Sequence, residues 1–165
     1  MIASFPPILP SAPTLLILGT MPGAMSLAKQ EYYGHKQNHF WKIMFSVLED
    51  ASVPDAFAEK KALMLRHGIA LWDVLAYCDR EGSLDSNIKN QVENDIPGLL
   101  RTHPTVRAIA FNGQQSHKFF IRKFGAIPGI DFYIMPSTSP AYTMKLADKA
   151  AAWAAVLKLH AKGSK

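Results

Sequence analysis

The chain has 165 residues, 48% of them apolar and 19% charged, which is the composition of a folded protein with a sizeable core and not of a disordered segment. No apolar run approaches the roughly eighteen residues that a membrane helix needs, and residues 1–13 lack the basic flank and unbroken apolar stretch of a secretory signal. Cys78 is the single cysteine, which excludes an internal disulfide and a four-cysteine metal site, while a net charge of +5 suits a partner rich in phosphate.

Residues 1–13 carry four prolines and are expected to lie extended across the surface. Residues 14–19 (TLLILG) read as a buried strand, a short apolar run closed by the turn Thr20-Met21-Pro22-Gly23. A long polar and aromatic loop then leads to a helix over 38–49, where Trp41, Met44, Phe45 and Leu48 recur at helical spacing. Pro54-Asp55 opens a second helix, with Phe57, Leu63 and Leu65 as core candidates and Gly68 as its stop. Residues 69–75 (IALWDVL) form a second buried strand, 79–94 a polar excursion, and 97–103 a short helix. A third strand over 106–111 ends at Asn112-Gly113, and Gln114–Phe124 is a helix. The fourth strand, 130–135, runs into the loop 136–142 (PSTSPAY), and the last helix sets Leu146, Ala150, Trp153, Leu157 and His160 on one stripe.

Short, wholly apolar strands alternating with helices predict a three-layer α/β/α sandwich around a central four-stranded parallel sheet. No linker or repeat divides the sequence, so one domain over 1–165 is expected, in the cytoplasm or, in a nucleated cell, the nucleus. In such sheets ligands bind beyond the carboxyl ends of the strands. Those ends carry Gly19 to Gly23, Trp72-Asp73, Asn112-Gly113 and Ser137-Thr138-Ser139, so four polar tips are predicted to face one crevice.

Each tip has a plain reading beside a functional one. Gly19, Gly23 and Pro22 make a tight turn, or let backbone approach a ligand; neither nucleotide-binding glycine spacing is present. Tyr32 and Tyr33 stack on a planar base, or cover the sheet's edge. Asn38 is an N-cap, or orients a water molecule. Asp73 and Asn112 are strand-end and turn residues, or meet the polar edge of a base. The loop 136–142 is a simple turn, or a set of hydroxyls and prolines that grips phosphate and wedges a duplex open. His35 and His39 are closely spaced but have no third ligand nearby, so no metal is expected.

Taken together, GTMPGAMSL (19–27), YYGHKQNHFW (32–41), IALWDVL (69–75), FNG (111–113) and PSTSPAY (136–142) resemble in order and spacing the uracil-DNA glycosylase superfamily, and most closely its hypoxanthine-DNA (deoxyinosine) glycosylase branch. The resemblance implies a monofunctional enzyme that flips a deaminated base out of DNA and hydrolyses its N-glycosidic bond. It implies no metal or organic cofactor, DNA containing a deaminated base as partner, no membrane, and a monomer. Asn38 would activate water, Tyr33 would stack on the flipped base, and Thr20 and Met21 would line the pocket. Asp73 and Asn112 would lie at the base's polar edge, while the backbone around Gly23 and Ser26 would touch phosphate. Ser137, Thr138, Ser139, Pro140, Ala141 and Tyr142 would form the loop that enters DNA. Uracil-removing relatives usually place an acid or amide where this chain has Met21, and a thioether cannot polarise water. The rivals are a mismatch-specific uracil or thymine glycosylase, a non-catalytic nucleic-acid-binding module on the same fold, and a small-molecule nucleotide hydrolase. Met21 speaks against the first, Asn38 against the second and the 136–142 loop against the third.

Overall fold

The computed structural model describes residues 1–163. Four short strands form a parallel sheet: β2 (Leu15–Gly19), β3 (Ile69–Asp73), β6 (Ala108–Asn112) and β7 (Asp131–Met135), in the order β3-β2-β6-β7. The two central strands, β2 and β6, are buried along their whole length, as continuous apolar runs in a sheet covered on both faces must be. Strand alternation sends Leu15 and Ile17 to one face and Leu16 and Leu18 to the other.

On the first face, Leu15 and Ile17 pack with α2 (Phe40–Glu49), α3 (Phe57–Arg66) and α6 (Leu146–His160) through Phe40, Met44, Leu63, Met64, Trp153 and Leu157. On the second, Leu16 and Leu18 meet Ile96 and Leu99 of α4 (Ile96–Thr102), and Phe119 and Phe120 of α5 (Gln114–Phe124). Each fully buried Leu, Ile or Phe contributes about 1.5–3 kcal/mol relative to exposure, so the two apolar layers hold the sheet from both sides. The three-layer arrangement expected from the sequence is the one observed.

Three departures from the sequence reading matter for the site. Residues 1–13 do not simply cross the surface. β1 (Ile2–Ala3) pairs with a later strand, Phe5 and Ile8 are buried, and Ile8 exchanges two backbone hydrogen bonds of 2.9 Å with Leu71. That contact covers the outer edge of β3, which would otherwise offer unpaired backbone groups to another chain.

The run over 69–75 is not one strand. It stops at Asp73, bends at Val74, and continues as β4 (Leu75–Asp79), paired antiparallel with β1 and with β5 (Lys89–Glu93). The bend is held because Val74 N–H donates to Gly19 C=O (2.8 Å) and Leu75 N–H to Thr20 C=O (3.1 Å). Asn94 Nδ2 braces it by donating to the carbonyls of Asp73 and Leu75. The supposed polar excursion is thus mostly a hairpin, with a 3-10 turn at Asp85–Asn87 near its tip.

Helix boundaries shift modestly. α3 begins at Phe57, three residues beyond Pro54, and Leu65 lies 41% exposed on its outer side. α2 begins at Phe40 with His39 at the N-cap position, so Asn38 precedes the cap. Among the described residues no helix is long and apolar enough to cross a membrane.

Candidate active site

The register of the parallel sheet puts Gly19 beside Asp73 and Asn112 beside Met135, so the carboxyl ends of all four strands finish together. Beyond them lies a cavity of about 520 Å³, in the range of small-molecule sites. Every candidate from the sequence lines it: Asn38; Thr20, Met21, Tyr33, Asp73 and Asn112; Gly23 and Ser26; and Ser137 through Tyr142.

Gly19 is needed at the floor for a reason the sequence did not show. A β-carbon there would stand 2.6 Å from Asp73 Oδ1 and 3.0 Å from the Tyr33 hydroxyl. What approaches this glycine is the protein's own polar pair. Gly23 has no such neighbour; it is the N-cap residue of the short helix α1 (Ala24–Lys29), at an ordinary φ of −73°. Thr20 and Met21 are buried, and Met21 also packs with Leu16 and Leu18 beneath the pocket. Ser26 Oγ accepts from Gly34 N–H (2.9 Å), which folds the 26–34 loop back on itself and leaves the hydroxyl proton free.

The two tyrosines divide. Tyr32 is structural: its hydroxyl donates to Pro6 C=O at 2.7 Å, and its own carbonyl accepts from Trp41 Nε1 at 2.8 Å. Tyr33 faces the cavity with a left-handed backbone (φ 54°), a conformation that costs a bulky residue on the order of 1 kcal/mol. One ring face stacks on Phe40, with centroids 4.0 Å apart and planes at 18°. Its hydroxyl is buried without a partner, and burial pushes its ionisation far above the usual tyrosine range, with Asp73 adding to the effect.

Asn38, one residue before the cap of α2, lies on the pocket wall. Its Oδ1 accepts from Phe40 N–H (2.9 Å) at the start of α2, leaving one lone pair on that oxygen. Its position on the cavity wall is therefore fixed by the helix it starts. Next to it, His39 N–H donates to Thr138 C=O at 3.0 Å. The His39 ring is held below the ordinary histidine range by burial and then by the charges of Lys149 and Lys42.

Asn112 grips the 136–142 loop with both ends of its amide. Nδ2 donates to Thr138 Oγ1 (3.0 Å) and Oδ1 accepts from Thr138 N–H (2.9 Å). One N–H and one lone pair remain for a ligand. Gly113, at φ 96°, lets Ser137 come close enough that a β-carbon would stand 3.3 Å from the Ser137 Cβ. The loop is braced further by Ser139 N–H to Ser137 Oγ and by Ala141 N–H to Ser139 Oγ, both 3.2 Å. Tyr142 is left 45% exposed at the rim.

Three features escaped the sequence reading. Lys149 of α6 is fully buried and donates from Nζ to Ser139 C=O at 3.1 Å, with its ammonium 5.6 Å from the centroid of the Tyr142 ring. The hairpin tip supplies Ser83, Leu84, Asp85 and Ser86 to the cavity wall. It is latched to the first loop by Arg80 Nη2 donating to Pro22 C=O (2.6 Å) and Ala24 N–H donating to Ser83 Oγ (2.9 Å). Third, Asp73 carries a carboxyl with one oxygen, Oδ2, buried and unpaired. Burial, reinforced by the charge of Asp85 and opposed by Arg80, pushes it up to about 7. The Gly82-Ser83 pair between Leu75–Asp79 and Lys89–Glu93 was a turn signal that could have revealed the hairpin.

Known proteins resemble this chain in sequence and in fold. The model of the uracil DNA glycosylase superfamily matches residues 6–158. A hypoxanthine DNA glycosylase from Methanosarcina acetivorans is 35% identical over 155 residues, which is 93% of this chain and 96% of that protein. Its counterpart from Methanosarcina barkeri is 31% identical over 156 residues, with the same coverage. A candidate uracil DNA glycosylase from Methanosarcina acetivorans, solved by solution NMR, superposes with a TM-score of 0.80 at 32% identity, covering 95% of this chain and 96% of that one.

Proposed function

The chain belongs to the uracil DNA glycosylase superfamily, and we propose that it is a monofunctional DNA glycosylase that releases a deaminated base, hypoxanthine from deoxyinosine above all. The observation that carries the reading is the convergence of Asn38, Tyr33, Asp73 and Asn112 on one cavity, rimmed by a braced loop that exposes Tyr142. The two curated relatives bear the name hypoxanthine DNA glycosylase, which supports the purine lesion over uracil. The reading carries with it a monomer acting on DNA in the cytoplasm.

Flipping a nucleotide costs a few kcal/mol and less at a mispaired base, so deoxyinosine opposite thymine is favoured for capture. The loop 136–142 holds the strand apart, with Tyr142 as the exposed wedge. The everted base extends the Phe40–Tyr33 stack, and the remaining N–H and lone pair of Asn112 meet its polar edge. As the C1′–N bond breaks, the sugar gains oxocarbenium character and becomes a strong electrophile. Asn38 then needs only to hold a water by accepting one of its protons at Oδ1; no strong base is required. Polar groups fixed in advance by the fold stabilise the charge that develops at no further cost of reorganisation.

The test is a set of oligonucleotides, each with one deaminated base, incubated with excess protein and then treated with alkali. Strand breaks at deoxyinosine are expected. Absence of alkali-labile sites from every lesion would overturn the reading.

A further inference from the structure

We propose that Asp73 is the general acid of the reaction, a neutral carboxylic acid that hands its proton to N7 of the departing purine. The inference rests on the glycosylase reading above and names the feature that fits the pocket to purines.

Asp73 ends β3 at the floor of the cavity, with only 4% of its surface exposed. Oδ1 lies over Gly19, where any β-carbon would collide with it. Oδ2 is buried with no hydrogen-bond partner. A carboxylate with a desolvated and unpaired oxygen is a costly state, whereas a carboxylic acid at the same place merely waits for an acceptor. The groups around it agree. Asp85, from the hairpin tip, adds a second carboxyl to the same wall, and burial raises it as well. Arg80, just past the hairpin's first strand, opposes both; it donates from two guanidinium nitrogens to Pro22 C=O and Gly82 C=O, and its Nη1 pairs with neither carboxyl. From the 26–34 loop come the hydroxyls of Tyr32 and Tyr33, both neutral; His35 lies on the same wall, and Asn112 of β6 carries no charge. With the Asp73 carboxyl pushed up to about 7, a large share holds its proton at neutral pH.

The chemistry balances without another reagent. The electron pair of the C1′–N9 bond passes into the imidazole ring of the purine, and N7 takes the proton from Asp73. The base leaves as its neutral N7–H tautomer, and Asp73 is left as carboxylate. Water held by Asn38 adds to C1′ and gives up one proton, which restores the acid. Uracil has no ring nitrogen in the place of N7, so the same proton would do little for its departure. A purine offers that lone pair, and the acid near the required pKa is well matched to it.

The test is single-turnover base release from deoxyinosine duplex between pH 5 and 9, for the wild-type protein and Asp73→Asn. Wild-type release should be level at acid pH and fall about tenfold per pH unit above roughly 7, because the acid is lost as it ionises. Asp73→Asn should be about a hundredfold slower or more and show no such fall, while binding the same duplex within a few fold. Wild-type protein should also bind but fail to cleave 7-deaza-deoxyinosine, a measurement that needs no variant to fold. Wild-type rates in Asp73→Asn, a wild-type profile without a fall near neutrality, or ready cleavage of the 7-deaza substrate would each overturn the proposal. A wild-type protein that releases no base from deoxyinosine at any pH would overturn the glycosylase reading itself, and this one with it.

Discussion

At the amino edge of the parallel sheet, Thr14 Oγ1 donates to His160 C=O at 2.6 Å, and Glu49 receives Arg66 through two nitrogens at 2.6 and 2.7 Å. His67, nearly buried there, has Glu49 Oε2 at 2.8 Å from one ring nitrogen and Lys162 C=O at 2.6 Å from the other. At the carboxyl edge Asn112, Asn38 and Lys149 are paired too, but other polar atoms are not. Among the described residues, the buried side-chain atoms without a partner are Tyr33 Oη, His39 Nδ1, Asp73 Oδ2 and Arg80 Nη1, and all four residues line the cavity or touch the loops around it. An unpaired buried polar group costs about 1–3 kcal/mol. Leaving several such groups open around one cavity keeps their hydrogen-bonding capacity for a ligand.

That contrast can be broken most forcefully at Gly19. Gly19→Ala forces the Asp73 carboxyl and the Tyr33 hydroxyl to move, and base release in single turnover should fall about a hundredfold or more. A full-rate Gly19→Ala protein would show that the positions of those two groups do not matter. Next in size, Tyr142→Gly removes the exposed rim ring and should slow release from duplex about tenfold while leaving single-stranded substrate nearly unchanged. Equal losses on both substrates would remove its wedge role.

Stability measurements sharpen the same contrast with opposite signs. Glu49→Gln at the paired edge should lower unfolding free energy in urea by about 1–2 kcal/mol at neutral pH, without changing activity. Arg66, then His67, hold the Glu49 carboxyl down at about 2, from an ordinary 4.5. A depressed acid stabilises the fold above its unfolded pKa, so the difference between variant and wild type should close as pH falls from about 4.5 through 2. At the open edge, Tyr33→Phe deletes a buried hydroxyl that has no partner and should raise stability by up to about 1 kcal/mol. A loss of stability there would mean that the hydroxyl is paired after all.

The central layers were legible because their signals are local. Leu15–Gly19 is apolar throughout, and Gln114–Phe124 carries its aromatic residues at helical spacing between Gly113 and Gly125. The hairpin was not, because Lys89–Glu93 is polar and largely exposed, so no period-two burial pattern marks it. Its carboxyl at Asp85 reaches the cavity beside latches of Arg80 to Pro22 and of Ala24 to Ser83, pairs that are distant in sequence. Lys149 is inconspicuous among the alanines of the last helix for the same reason: the carbonyl that accepts from its ammonium belongs to Ser139, on another element. The tips themselves could be read as residues that converge, but the sharing of Asn112 between loop and ligand is set by tertiary geometry.

The account depends above all on Asn38. Its most direct test compares Asn38→Ala with the wild-type protein on a deoxyinosine duplex, measuring single-turnover base release and equilibrium binding side by side. Release should fall about a hundredfold or more while binding stays within a few fold, because the lost group acts on water and not on the base. A folded Asn38→Ala protein that releases the base at the wild-type rate would contradict it.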